Sequence, residues 1–391
     1  MNTSDLPAIS RSVWDVLIIG AGVAGASLAI QTSRQGLRTL LVEAKHFPRE
    51  KVCGGCLNQR SRGCLQRLGV MDLLTQRGAV EIDRLDLRIG GARGYWPIPS
   101  LLSVRRSTLD LILIEQASAS GAQVLTGVTA EVVPAEDRLL AGSADQVRWV
   151  KLRGGEASTL VAARMVIAAD GLTRSSLRAA EPLGSQVAAD SRIGVQTFLR
   201  GDQLPWPLGS KTLAMLVGRS GYVGLSPTDG EYINLAAAID PSRLRADGSI
   251  AIVIESILSE VLGKPVKLPS PMDWLATPRL TRRAEQVGAR QLLLIGDAIG
   301  YVEPFTGEGM SWALAGAEAV LPYVLRGVRE GWSDPLERGW SDWIQQRLSR
   351  QQRSCRWFAR QLRHPRLAAG ILRLCHLLPP VRRALIDKAI S

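Results

Sequence analysis

Two kinds of residue in this chain could do chemistry: backbone turns able to hold phosphates, and a small set of proton carriers. The segment Val16-Leu-Ile-Ile-Gly-Ala-Gly-Val-Ala-Gly25 runs an apolar strand into glycines at positions 20, 22 and 25. In that spacing Gly20 permits a tight turn, Gly22 lets the backbone approach a pyrophosphate, and Gly25 lets helix and strand pack closely. The helix that follows offers free N–H groups and the positive end of its dipole to phosphate oxygens. Glu43 ends the next apolar run, 18 residues after Gly25, near the spacing of roughly 20 at which an acid meets an adenosine ribose. Its carboxylate would accept from ribose hydroxyls and repel a 2′-phosphate. Strand, spacing and acid coincide, so a dinucleotide cradle is a better reading than a bare glycine-rich turn.

Two later segments extend the pattern: Val166-Ile-Ala-Ala-Asp-Gly171, and Leu292-Leu-Leu-Ile-Gly-Asp-Ala-Ile-Gly300 leading into Pro304-Phe-Thr-Gly-Glu-Gly-Met310. In this order the three motifs resemble the flavoproteins built like para-hydroxybenzoate hydroxylase, over about Trp14 to Leu325. The resemblance implies FAD. It also implies that Asp170 and Gly171 lie near the pyrophosphate and that Gly296-Asp297 meets the ribityl chain. The helix starting near Gly307, with Gly309 and Met310, would point at the flavin. A helix N-terminus there stabilises the negative charge of a reduced flavin by roughly 0.3–1 kcal/mol, more when buried. Arg106 matches the family arginine beside the cofactor, with Arg105 as the neighbouring alternative.

Finer detail is similar to geranylgeranyl reductases. Phe47-Pro-Arg-Glu-Lys-Val-Cys-Gly-Gly55 resembles their Lys-x-Cys-Gly-Gly loop. Gly221-Tyr-Val-Gly224 and Pro227 stand where those enzymes carry Gly-Tyr-x-Trp-x-x-Pro, with Gly224 replacing the Trp. Aromatic hydroxylases carry His where this chain has Gly300, and Gln-Gly-x-Asn where it has Gly307-Glu-Gly-Met310. Tyr95-Trp-Pro-Ile-Pro99 matches the halogenase Trp-x-Trp-x-Ile-Pro segment only superficially. The resemblance implies an FAD-dependent oxidoreductase acting on a lipophilic substrate, whether isoprenoid, polyketide or other lipid. Reduction of carbon–carbon double bonds is the first reading and an NAD(P)H-consuming monooxygenase the second. A non-catalytic flavin-binding protein is the alternative of another class. No second nucleotide motif is visible, so NAD(P)H would visit transiently or a reduced electron carrier would replace it.

Reduction needs a proton donor, and Cys53, Tyr222, Tyr301 and Glu303 are the candidates. Cys53-Gly-Gly-Cys56 has three readings: small apolar packing in a flavin-facing loop, a redox pair activated by a helix over 57–68, or a metal site lacking its second pair. Cys53 is the stronger of the two cysteines, because the reductase cysteine it matches lies at the flavin's substrate side.

The elements that must position these residues predict an α/β fold. A discontinuous Rossmann-like FAD-binding domain spans 13–80, 105–182 and 286–330. An inserted antiparallel-sheet substrate domain spans 81–104 and 183–285, and a basic amphipathic helical region spans 331–391. At 391 residues, 46% hydrophobic and with 38 glycines, the chain suits an enzyme of this kind. Five cysteines and a short polar leader argue against a disulfide framework and a secretory signal, pointing to the cytoplasm.

Charge is lopsided: +12 overall, with eleven basic side chains against Asp342 and Asp387 within 341–391. On a helix, Ile344, Leu348, Cys355, Phe358 and Leu362 share one face, most arginines the other, and Trp343 and Trp357 flank the stripe. A second apolar helix over 367–378 ends at Pro379-Pro380. Two readings stand side by side: a peripheral contact with the inner face of a membrane, and a helical cap with its arginines in water. Nucleic-acid binding is the weakest reading of the charge, since no recognition module accompanies it. Oligomeric state is not legible.

Overall fold

The structure, a computed structural model, describes residues 6–134, 146–180, 183–204, 206–303, 305 and 307–377. Pro304 and Thr306 of the third motif, and the tail from Leu378 with Pro379 and Pro380, lie outside the described residues.

Strand Trp14–Ile19 pairs in parallel with Thr39–Glu43 on one side and Ala157–Ala168 on the other. Leu292–Leu294 adds to Ala157–Ala168 and Gln123–Thr126 to Thr39–Glu43, again in parallel. Parallel strands are covered on both faces, which is why these segments read as unbroken apolar runs; Leu17, Ile18, Leu40, Leu41, Val166 and Ile167 are fully buried. The register sets Ile19 opposite Ala168, and Ala168 opposite Leu294. Three strands therefore end side by side, and from those ends emerge Gly20, Asp170 and Asp297. The crevice beyond such carboxyl ends is where sheets of this type bind ligands. Helix Val23–Arg34 packs beneath it, between Arg106–Ala119 and Gly309–Arg329.

A second eight-stranded sheet is antiparallel except where Thr212–Gly218 runs parallel to Val80–Ile89. The short runs expected near 81–104 form one long hairpin, Val80–Ile89 and Ala92–Ser103, turning at Gly90 and Gly91 with φ of 52° and 78°. Alternation sorts the two faces. Ala214 and Leu216 pack toward helix Ile250–Leu262, while Met215 and Val217 face the other way with Trp96, Tyr222 and Ala238.

The end of the C-terminal helical region covers that second face, while its earlier helices pack on the core of the first sheet. Asp334–Trp343 continues through a π-helical turn, Ile344–Leu348, into Ser349–Gln361, and Pro365–Leu377 follows. Ile344, Leu348, Cys355 and Leu362 of the expected apolar stripe are buried; the Phe358 side chain lies outside the description. Leu362, Ala368, Ala369 and Leu372 join the core against the long hairpin. Among the described residues no helix is long and apolar enough to cross a membrane.

Candidate active site

Glycine is required at 20 and 25 by packing inside the protein. Gly20 has φ of +99°, and a Cβ there would lie 2.5 Å from the Ala169 carbonyl oxygen; at Gly25 it would lie 1.9 Å from that of Gly20. Gly22 differs. A Cβ there would meet nothing within 3.8 Å, and the atoms at that distance are guanidinium nitrogens of Arg49 and Arg106. The helix beginning beside it has no side-chain cap on its first N–H groups. An open gap with free amides and two cations suits a pyrophosphate.

The cations are held from behind. Fully buried Asp110 accepts from Arg106 Nε and Nη2 at 3.0 and 2.9 Å and pairs with Arg49 at 3.2 Å. Burial opposes the Arg106 charge, but Asp110, with Cys53 and Asp297, holds the guanidinium above its ordinary value. Arg49 also reaches Glu43 at 3.3 Å. The Glu43 carboxylate accepts from the backbone N–H groups of Ala21 and Lys45, each at 3.0 Å, which fixes it beside the turn. Arg105 turns away, pairing with Asp229 at 2.7 Å and lying over Phe198 and Tyr232.

At the second motif, Asp170 Oδ2 accepts from the Ser176 N–H at 2.8 Å while Oδ1 is buried without a protein partner. Burial pushes this carboxyl above the ordinary range, against the pull of Ser176. Gly171 takes φ of +74°, with the Lys51 ammonium 3.1 Å from where a Cβ would stand. At the third, a Cβ on Gly296 would lie 2.9 Å from Ala24 Cβ, so the turn rests directly on helix Val23–Arg34. Asp297 emerges there and faces Lys51 at 3.6 Å. Helix Gly309–Arg329 likewise begins without a side-chain cap, with Met310 buried and Gly307 at φ +76°.

One cavity of about 320 Å³ joins these parts. It runs from Gly22, Arg106 and Asp297 past Gly307, Gly309 and Met310 into a chamber walled by Leu85, Leu87, Trp96, Leu213, Met215 and Leu280, under Leu362, Ile371 and Leu372. Among the described lining residues the only charges are Lys51, Arg106 and Asp297, all at the turn end, and no histidine takes part. The open space at Gly22, the orphaned Asp170 oxygen and the two uncapped helix ends fit a flavin dinucleotide.

Both cysteines line this cavity as free thiols. The Cys53 backbone N–H donates to Gln196 Oε1 at 3.1 Å, its carbonyl accepts from Asn234 Nδ2 at 3.0 Å, and the two amides bond each other at 2.8 Å. Cys56 begins a short strand, and Asn58 is the residue that caps helix Gln59–Leu68. The helix-activated thiol required by the redox reading is therefore absent at Cys56. Burial, then the neighbouring Cys53, pushes the Cys56 thiol up to about 12.

Tyr222 lines the chamber, edge-on to Phe305 at 5.1 Å. Burial, then the Glu303 carboxylate, holds its phenol well above its ordinary value. Tyr301 also lines the chamber, its ring 3.0 Å from where a Gly309 Cβ would stand. Glu303 does not line it. That carboxylate, a candidate proton donor from the sequence, sits behind Tyr222, 1% exposed and paired with Arg192 at 3.2 Å. Gly300 has its own steric reason: at φ +145° a Cβ would lie 2.8 Å from the Arg282 carbonyl oxygen. Gly224 lines the chamber beside the Met215 sulfur, where an indole would fill the space.

Sequence reasoning missed Arg49, Lys51 and Asp110 as site residues. The first two lie in the quoted cysteine loop, and Asp110 follows Arg106 at i+4 on a helix, a spacing that brings side chains together. Gln196 and Asn234 carry no comparable local signal.

Comparison with known proteins gives the same picture. Residues 13–331 match the family described as FAD binding domain. Menaquinone reductase of Mycobacterium tuberculosis is 30% identical, the alignment covering 77% of this chain and 74% of that protein. The 6-methylpretetramide 4-monooxygenase of Streptomyces rimosus is 26% identical over 80% of this chain and 56% of that one. Among solved structures, the flavin-dependent brominase Bmp2 superposes with a TM-score of 0.77 at 18% identity, over 97% of this chain and 93% of that chain. PqsL, a probable FAD-dependent monooxygenase from Pseudomonas aeruginosa, gives 0.70 at 19%, over 93% and 100%. At such identities these two likenesses are of fold alone. The chain belongs to the FAD binding domain family, in the superfamily built like para-hydroxybenzoate hydroxylase, and is an FAD-dependent oxidoreductase.

Proposed function

We propose that this enzyme reduces carbon–carbon double bonds of an isoprenoid, polyketide or other lipid-like substrate. The observation that carries this reading is the chamber: its charges cluster at the turn end, and beyond them the described wall is mostly aliphatic, aromatic or glycine, with Ser226, Thr277, Gln361 and the two thiols as uncharged exceptions. Such a wall takes up apolar surface at roughly 25 cal/mol per Å² buried and gives a charged substrate no partner. The menaquinone reductase likeness and the Lys51-Val-Cys53-Gly-Gly55 loop, similar to geranylgeranyl reductases, support the reductive side.

In this reading Gly20, Gly22, Gly25, Arg49 and Arg106 hold the FAD pyrophosphate and Glu43 the ribose. Asp170 and Gly171 flank the phosphates, Gly296, Asp297 and Lys51 take the ribityl chain, and Gly307, Gly309 and Met310 face the flavin. Bound FAD supplies hydride, with electrons from transient NAD(P)H or a reduced carrier. Adding hydride to one carbon of a double bond leaves a proton to be delivered to the other. Tyr222 is the proposed donor: its raised phenol stays protonated through neutral pH, and it lines the chamber. Glu303 acts behind it as a positioning residue, and Cys53 shapes the flavin-facing loop. The sheet strands over 81–104 and 183–285 form the substrate domain.

The C-terminal helices would bring the lipophilic substrate in. Trp357, Leu367 and Leu374 are about half exposed, and Arg353, Arg366 and Arg373 are exposed around them. Trp357 also lines the chamber. An apolar patch ringed by arginines suits an anionic bilayer, at about 1 kcal/mol per basic residue near the surface.

The test uses FAD-loaded protein, reduced with dithionite under anaerobic conditions and given detergent-dispersed menaquinone. The product is returned to air before mass spectrometry, so that reduction of the quinone ring does not count. Two added hydrogens are the expected result. An added oxygen in air, with no hydrogenation without oxygen, would establish the monooxygenase reading that the Streptomyces rimosus relative supports. Neither change, with FAD retained, would favour a non-catalytic role.

A further inference from the structure

A second cavity, of about 590 Å³, lies between strand Arg282–Ala284 and helix Ser349–Gln361, and shares no lining residue with the first. Successive turns of the helix present Gln352, Arg356 and Arg360 to it, and Arg283 faces them from the strand. Two other arginines of the lining are already engaged. Arg363 pairs with Asp190 and Asp240, each at 3.6 Å, and Arg282 donates to the backbone carbonyls of Leu172 and Arg279.

Arg283, Arg356 and Arg360 have no carboxylate partner among the described residues. Arg356 Nε and Gln352 Nε2 are buried with nothing to donate to. Burial and then Arg283, Arg360 and Arg353 press the Arg356 guanidinium below its ordinary value. The cavity does hold carboxylates. Asp190 and Glu303 are paired with Arg363 and Arg192. Glu285 lies beside Gly184 and the Glu337 methylene beside Gly288, and neither carboxylate forms an ion pair with Arg283, Arg356 or Arg360.

Arg283 and Arg360 are exposed at the rim, and an anion set among the three guanidinium groups would satisfy the idle buried donors of Arg356 and Gln352. Guanidinium forks match phosphate oxygens two at a time. The volume falls among small-molecule sites, roughly 300–1,000 Å³. We propose that this cavity binds a phosphate-bearing ligand through Arg283, Arg356 and Arg360, with Gln352 as a neutral donor. The proposal stands apart from the reductase reading, since it concerns a separate cavity. The phosphate belongs either to a soluble nucleotide or to a lipid headgroup.

The test is calorimetric titration of FAD-loaded full-length protein with inorganic diphosphate at low ionic strength. One saturable site is expected, weakened about tenfold or more by the double change Arg283→Ala and Arg356→Ala. FAD content should stay unchanged, and Arg366→Ala with Arg373→Ala, on the exposed outer surface, should leave binding intact. If the double variant does not fold, Arg356→Gln, which keeps a long polar side chain, should weaken binding in the same direction. Displacement of diphosphate by NADPH would identify the nucleotide source, and displacement by dihexanoyl phosphatidylglycerol the headgroup. No saturable binding, or equal binding by the arginine variants, would overturn the proposal.

Discussion

Gly22→Ala separates space left for a ligand from space needed by the fold. Gly22 has φ of −76° and ψ of −174°, a backbone any residue adopts. A Cβ there meets only the two guanidinium nitrogens, at 3.8 Å. Losing glycine at a helix start and gaining alanine's stiffer unfolded chain are opposed effects of about 0.5–1 kcal/mol each. At about 2.1 cal/mol/K per residue, unfolding entropy for this chain is about 0.8 kcal/mol/K, so the apoprotein Tm should move by no more than about 1 °C. FAD should suffer far more, because the methyl stands where phosphate oxygens would meet the first amides and the arginines. Loss of two charge-assisted hydrogen bonds at about 1.5–3 kcal/mol each weakens binding roughly 10²–10⁴-fold. Gly25→Ala is the contrast: its Cβ would sit 1.9 Å from the Gly20 carbonyl oxygen, and the apoprotein itself should lose about 3 kcal/mol or more. Melting curves of apoprotein, with FAD titrations followed by flavin fluorescence, read both quantities. A Gly22→Ala protein that binds FAD normally yet melts as early as Gly25→Ala would refute the reasoning.

Asp297→Ala should purify without FAD while keeping its fold, since its one ion pair among the described residues is the 3.6 Å contact with Lys51; absorbance at flavin wavelengths checks this. Brief iodoacetamide treatment at about pH 8 should alkylate partly buried Cys53 and spare Cys56, whose thiol is pushed up to about 12 by burial and then by Cys53; peptide mapping that finds Cys56 modified first would contradict the site geometry. Cys53→Ala should change turnover without loss of FAD, read as kcat beside flavin content. Burial raises the Asp170 carboxyl above its unfolded value of 3.8. Its contribution to apoprotein stability is therefore fully present below that value and is lost as pH rises through the folded one. Asp170→Asn should remove that slope in urea melts across pH; parallel profiles for the two proteins would exclude the assignment.

The cradle was legible because its residues are fixed by local backbone demands. Gly20 and Gly25 answer to packing within a few residues, and Glu43 and Asp297 sit at strand ends that periodicity locates. The Arg106–Asp110 pair was within reach, because one helical turn joins them. What escaped was made by register and by distant packing. Gln196 and Asn234 hold the cysteine loop across more than a hundred residues of sequence, and no local pattern announces that. Glu303 is one of four candidate proton donors, and the chain carries it behind Tyr222 to meet Arg192. The arginine-rich helices read equally as membrane patch or cap; their inner face closes the chamber with Leu362 and Leu372, a contact decided by the tertiary fold.

Reconstitution tests the central claim most directly. Purified chain, stripped of any ligand and mixed with a slight excess of FAD, should retain a single flavin through desalting, with the absorbance and quenched fluorescence of a bound isoalloxazine. A well-folded chain that emerges colourless and takes up no flavin would contradict the account.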